Sequence, residues 1–188
     1  KGIKVANGEY LLFLNSGDSF YEWDSLSKFI LHKGVNNSHF IYGNLFINGE
    51  KKWIKTYPNS LSFFYFVKEA LPHPATLIKK ECFEYSLFDE NLKIVSDWKF
   101  FTTLICKYNL NYHHIDFTLS RFNLDGISST QSSLVKSERE QVLNESFTAL
   151  MNDYRDFQAL KKELKSYNIR FKKKLKNIYS KLKNFKNA

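Results

Sequence analysis

Asn48-Gly49 lies between two β-capable runs, His39 to Ile47 and Lys52 to Tyr57, and this dipeptide is the strongest short signal for a two-residue hairpin. The turn that matches strand twist needs positive φ at both central residues, which Asn and Gly tolerate best. An antiparallel ribbon is therefore expected mid-chain, and its neighbours must be compatible with a sheet. Upstream, Glu9 to Leu14 reads as a buried strand entering the tight turn Asn15-Ser16-Gly17-Asp18. Trp23 to Lys33, apolar at 23, 26, 29 and 30 and stopped by Gly34, reads as an amphipathic helix. Downstream, Ser60 to Ala70 is expected as a helix that ends before Pro72-His73-Pro74, and Ala75 to Lys79 as a short strand. Ser96 to Tyr108 reads as a helix capped by Ser96 with Asp97 in its first turn, and His113 to Phe122 as an alternating strand. Leu124 to Ser133 is a Gly/Ser/Asp loop, and residues 134–188 form two long helical stretches without a strand. The expectation is an α/β domain over residues 1–133 with a helical extension over 134–188.

Composition narrows the class. With 188 residues and 43% hydrophobic content the chain can bury a real core. Its greasiest runs, Tyr10 to Leu14 and Phe63 to Val67, are five residues long, far short of the ~20 needed to span a bilayer. Cys82 and Cys106 are too few for a disulfide framework or a four-ligand zinc site, so buried thiols in a reducing compartment are expected. The net charge of +9 is local: residues 161–188 carry eleven Lys/Arg against Glu163, or +10, which leaves residues 1–160 at −1. The basicity belongs to a tail and says nothing about the main domain's partner. The chain opens on Lys1, and its first seven residues read as the end of a helix closed by Gly8, so a preceding segment is expected.

Four stretches carry candidate chemistry. Asn15-Ser16-Gly17-Asp18 delivers a carboxylate just beyond a strand's C-terminal end, where open α/β sheets place ligands. Pro72-His73-Pro74 holds a histidine on a stiff connection, and Ser96-Asp97-Trp98 places a carboxylate in a helix's first turn. Gly126-Ile127-Ser128-Ser129 is a polar loop after the last strand. His113 and His114, within a strand, read as structural.

Together with Lys1 to Asp18, Ile41-Tyr42-Gly43-Asn44 and Phe88 to Trp98, these stretches resemble the family 2 glycosyltransferases of the glycosyltransferase A-type fold, in the branch that builds bacterial surface polysaccharide. The resemblance covers roughly residues 1–130 and implies a mixed sheet flanked by helices, lacking the first strand-helix units of such an enzyme. It implies an inverting hexosyltransferase moving a sugar from a nucleotide-sugar donor, a UDP-sugar, to a glycan or lipid-linked acceptor. Asp18 matches the last Asp of the family's Asp-x-Asp-like turn and would hold Mg²⁺ or Mn²⁺; Asn15 and Gly17 depart from the two-acid version. Asn15, Ser16, Asn123 and Ser128 would contact the donor, with Arg121 on the same strand end, and Asn123 stands where relatives often carry a metal-binding His. Asp97 would be the general base, an acceptor hydroxyl being too weak an acid to attack unaided. His73 and Trp98 would lie toward the acceptor, with a core position the favoured alternative for Trp98.

The tail carries apolar residues at 164, 167, 171, 175, 178, 182 and 185 with lysines on the remaining faces, a basic amphipathic helix suited to an anionic membrane. A cytoplasmic protein, peripheral on the inner face of the cell membrane, is the expected setting. A catalytically inactive membrane-associated scaffold is the alternative. A nucleic-acid-binding role is disfavoured, because the aromatics interleave with apolar positions in a domain of charge −1 rather than with the lysines.

Overall fold

The structure is a computed structural model that describes the backbone of residues 1–34 and 36–185 and the side chains of residues 1–34 and 36–176. In chain order it runs α1 (Gly2–Val5), β1 (Tyr10–Leu11), β2 (Ser19–Phe20), α2 (Ser25–Lys33), β3 (Phe40–Asn48), β4 (Lys52–Lys55), α3 (Phe63–Lys68), a 3₁₀ turn (His73–Ala75) and β5 (Thr76–Lys79). Then follow α4 (Cys82–Tyr85), α5 (Ser96–Cys106), β6 (Tyr112–Asn123), α6 (Ile127–Thr130), α7 (Ser132–Ser146) and α8 (Thr148–Phe185). The chain divides into two compact units, residues 1–142 and Leu143 onward, with the division inside α7.

The described strands form one mixed α/β sheet in the order β1-β5-β3-β6-β2, with β4 also on β3. β3 and β6 run parallel from Phe40 opposite Tyr112 to Asn48 opposite Asn123, and every other pairing is antiparallel. Since β6 occupies one edge of β3 throughout, β5 (Phe40 to Tyr42) and β4 (Leu45 to Asn48) share the other. The β3–β6 register slips around Asn44, and the backbone of β6 crowds β3 there: a Cβ on Gly43 would stand 2.5 Å from the Phe117 carbonyl and 2.7 Å from the Phe29 ring. Gly43 is thus fixed by close approach.

The core is aromatic, with Phe29, Phe40, Tyr42, Phe66, Trp98, Phe100 and Phe101 fully buried together with Ile41, Ile78, Leu104 and Leu119. The β3–β4 hairpin forms, but not through the two-residue turn expected there: Asn48 still pairs with Lys52, residues 49–51 make the connection, and neither Asn48 nor Gly49 takes a positive φ. Other local expectations also differ. The first strand pairs only at Tyr10 and Leu11, after which Phe13 turns into an aromatic cluster. Ser96 does not cap α5, because its Oγ turns back to donate to the Asp89 carbonyl at 2.9 Å. The helix stops at Cys106 rather than Tyr108, since Asn109 adopts φ 55° and lets the Leu110 N–H return to the Leu104 carbonyl. Ser62 does cap α3, accepting from the Tyr65 N–H. Both cysteines are free; burial pushes the Cys82 thiol up to about 12 and the Cys106 thiol to about 11.

In the second unit, Phe157, Leu160, Leu164, Tyr167, Phe171 and Leu175 of α8 are exposed, and Tyr167 stacks on Phe171. The remaining stripe positions, 178, 182 and 185, lie outside the residues whose side chains are described. Among the described residues no helix is long and apolar enough to cross a membrane.

Candidate functional site

The turn that carries Asp18 is closed on itself: the Asp18 N–H donates to the Asn15 carbonyl at 3.0 Å, and the Asn15 N–H donates to Asp18 Oδ2 at 3.2 Å. Gly17 takes φ 92°, a conformation that favours glycine. Asn123, the last residue of β6, donates from Nδ2 to the Gly17 carbonyl at 2.6 Å and accepts from Asn48 Nδ2 at 2.7 Å. Immediately after the turn, Ser19 and Phe20 pair with Arg121 and Ser120. The turn is therefore pinned to the end of β6 and to the hairpin beside it. Next to it is an open cleft of about 340 Å³ lined by Asn48, Gly49, Asn123, Leu124 and Asp125. Partial burial pushes the Asp18 carboxyl above its ordinary value against the Asn15 hydrogen bonds, and the charge of Asp125 adds to the rise. Asn15, Ser16 and Ser128 are exposed.

A second carboxylate site is built on the 3₁₀ turn. The Pro72 carbonyl accepts from the Ala75 N–H and from Thr76 Oγ1, and the Pro74 carbonyl accepts from Ser120 Oγ of β6. His73, fixed between them, lies among Phe13, Phe88 and Phe101 at centroid distances of 5.2, 5.5 and 5.8 Å. Its Nδ1 is 3.5 Å from Asp97 Oδ2, and its buried Nε2 has no protein partner. Burial pushes the imidazole below its ordinary value, with Asp97 opposing. His73 therefore presents Nδ1 to Asp97 at a distance longer than an ordinary hydrogen bond. The other Asp97 oxygen accepts from the Trp98 N–H at 2.7 Å.

The start of α5 is held from α7. Glu138 is 7% exposed, and its carboxylate accepts from the N–H groups of Lys93 (2.8 Å), Ile94 (3.0 Å) and Val95 (3.1 Å). Burial works against its ionisation, yet the three donors keep its carboxyl below the ordinary range. Arg139 lies over the Trp98 indole, 5.0 Å from the ring.

Of the two readings of Trp98, the structure shows the favoured core position rather than a place beside an acceptor. It is 2% exposed and its indole N–H donates to the Phe66 and Glu69 carbonyls at the end of α3, so it belongs to the core. Asn123 uses both ends of its amide to brace the Asp18 turn against Asn48 while also lining the cleft beside it. Arg121 lies over the Phe46 ring at 5.3 Å and points a nitrogen at the Tyr21 carbonyl. His114 faces Asn44 and Asn59. Glu138, Arg139 and Ser120 were absent from the sequence reading: in Ser-Glu-Arg-Glu a helical carboxylate looks solvated, and its partners are backbone groups that leave no mark on sequence. Asn48 was legible as a turn residue only.

Among the described residues no group of three or more His, Cys, Asp or Glu could hold a metal ion. Asp18, destabilised as an anion by burial and by Asp125, is the carboxylate whose charge a cation would relieve. Mg²⁺ accepts one or two carboxylates completed by phosphate oxygens and water, so these residues fit.

No protein-family model matches the chain, and no curated protein matches it in sequence. Among solved structures it is similar to residues 1–349 of S. aureus TarS in complex with UDP-GlcNAc, at 17% identity and TM-score 0.48 over 64% of this chain and 36% of that one. A second structure of the same TarS segment is similar at 16% identity and TM-score 0.48, over 78% of this chain and 50% of that one. The chain thus spans half or less of those structures.

Proposed function

We propose that this chain is the larger part of the catalytic domain of an inverting family 2 glycosyltransferase of the A-type fold. It takes a sugar from a UDP-sugar and passes it to a glycan or lipid-linked acceptor in surface-polysaccharide synthesis. The observation that carries the reading is the sharing of one strand: Ser120 of β6 holds the turn that fixes His73 opposite Asp97, and Asn123 of β6 holds the turn that carries Asp18. A donor-phosphate carboxylate and a proton acceptor are thereby set in one frame.

In this reaction Asp97 accepts the proton of the acceptor hydroxyl as its oxygen bonds to the anomeric carbon from the face opposite the leaving group. The bond from that carbon to the diphosphate breaks, its electron pair leaves with the nucleoside diphosphate, and configuration inverts. His73 faces Asp97 Oδ2 with Nδ1 at 3.5 Å, and its imidazole is packed among the rings of Phe13, Phe88 and Phe101. Asn15 and Ser16 lie exposed beside Asp18 to meet ribose or phosphate, and Ser128 is an exposed polar residue available from α6. A bound Mg²⁺ or Mn²⁺ would neutralise charge on the leaving diphosphate, with Asp18 as its protein carboxylate. The exposed stripe of α8 and its lysines belong to the same reading, as an attachment to the anionic inner face of the cell membrane where a lipid-linked acceptor would be found.

The test uses the intact protein. Asp18→Ala is expected to abolish Mn²⁺-dependent UDP binding in calorimetry. Asp97→Asn should leave that binding nearly intact while lowering turnover at least ~100-fold, the signature of a group used only in the transition state. Unchanged UDP affinity in D18A removes the donor assignment, and near-normal turnover in D97N removes the base.

A further inference from the structure

We infer that Glu138 is a positioning residue for Asp97, directing the start of α5 so that Asp97 Oδ2 faces His73 Nδ1. The inference rests on the reading of Asp97 as the base and adds a residue more than forty positions away in the chain. Three consecutive N–H groups, those of Lys93, Ile94 and Val95, converge on one carboxylate, Oε1 taking the first and Oε2 the other two. Successive amides that share one anion fix the backbone dihedrals between them. Those residues are the ones that set the direction in which α5 departs, and Asp97 follows two positions later.

Local devices were available and are not used in this way. The side chain of Ser96 is turned to the Asp89 carbonyl, and the Asp89 carboxylate is taken by Lys99 and Asn91. The orienting carboxylate comes instead from α7. The next residue of that helix, Arg139, lies over Trp98 and interacts electrostatically with Asp97. α7 therefore holds the chain both before and after Asp97, whose Oδ2 lies 3.5 Å from His73 Nδ1. A buried carboxylate is costly unless its oxygens are hydrogen-bonded, and here they are satisfied by backbone donors. Replacing it by an amide puts an NH₂ group or a single oxygen where three N–H donors point.

Imidazole NMR of the intact protein reads the geometry directly. In Glu138→Gln the His73 ring resonances are expected to move toward those of Asp97→Asn, while those of His39 and His114 stay at their wild-type positions. Glu138→Asp, which keeps a shorter carboxylate, should move them part of the way, and it decides the matter if E138Q does not fold. With UDP-hexoses as donors, E138Q should lower turnover at least ~10-fold with UDP affinity unchanged. An unmoved His73 signal in these variants overturns the inference if D97N moves that signal, as does a joint shift of all the histidines, which would mean general loosening. If E138Q displaces His73 but D97N turns over normally, the positioning stands and the assignment of Asp97 as base is what fails.

Discussion

Asn123 reaches back across 106 residues to donate to the Gly17 carbonyl at 2.6 Å, and its own carbonyl oxygen is occupied by Asn48. Asn123→Ala removes the brace and leaves the Asn48 amide without its acceptor. A lost side-chain hydrogen bond of this kind is worth about 1 kcal/mol, and the loss should appear as mobility of the Asp18 turn. Calorimetry of UDP with Mn²⁺ is expected to show affinity lowered about fivefold, a step of about 1 kcal/mol. An unaltered isotherm would mean the turn holds without the Asn123 brace.

Gly43→Ala should destabilise the sheet unit by about 1–3 kcal/mol, since the added methyl meets the Phe117 carbonyl, which cannot move without disturbing β6. Urea unfolding followed by tryptophan fluorescence reports on this unit, because Trp23, Trp53 and Trp98 all lie within it. A midpoint equal to wild type would show that β3 and β6 are less crowded than described.

Stability should fall on the acid side through His73. Its folded pKa lies below the ordinary 6.5, so between the two values the unfolded chain binds more protons than the folded one. The stability is fully present above about 6.5 and is lost as pH falls from there toward the folded value; His114 shifts in the same direction. His73→Gln should flatten the dependence between pH 7 and pH 5 by up to about 1.4 kcal/mol per pH unit, the limit for one proton. Parallel urea-midpoint curves for the two proteins would show that His73 is not the linked group.

The tail should bind acidic vesicles. Leu164, Tyr167, Phe171 and Leu175 are exposed at helical spacing, and the lysines contribute ~1 kcal/mol each near an anionic surface. Apolar burial survives salt while the Coulomb attraction decays within a Debye length of ~8 Å, so binding should weaken with salt without vanishing. Co-sedimentation of the intact chain with acidic and neutral vesicles, against a chain ending at Leu160, is the measurement. Equal sedimentation of both chains, or on both lipids, would rule the attachment out.

Much of this was readable in the residues because turn and helix chemistry is local. Asn48-Gly49 marks where the chain reverses, though the connection itself is residues 49–51, Gly34 ends its helix, and the turn bearing Asp18 is written in four consecutive residues. The parallel pairing of β3 with β6 is different in kind: it joins residues some seventy positions apart, and nothing in either strand's alternation selects that partner. β2 is two residues long and is held by β6 rather than by any propensity of Ser19-Phe20. Trp98 next to Asp97 could be read as a sugar platform until the carbonyls at the end of α3 were seen to claim its N–H.

The placing of both anchors on β6 makes its length matter more than its composition. Ser120 and Asn123 are three positions apart on a strand that advances ~3.3 Å per residue and reverses face at each step. A residue inserted between them would carry the Gly17 brace one step along and onto the opposite face while His73 stayed where Pro74 holds it. Divergent relatives of this chain should therefore vary freely in the exposed side chains of β6 yet keep the count from 120 to 123, with insertions and deletions confined to the loop beyond Leu124.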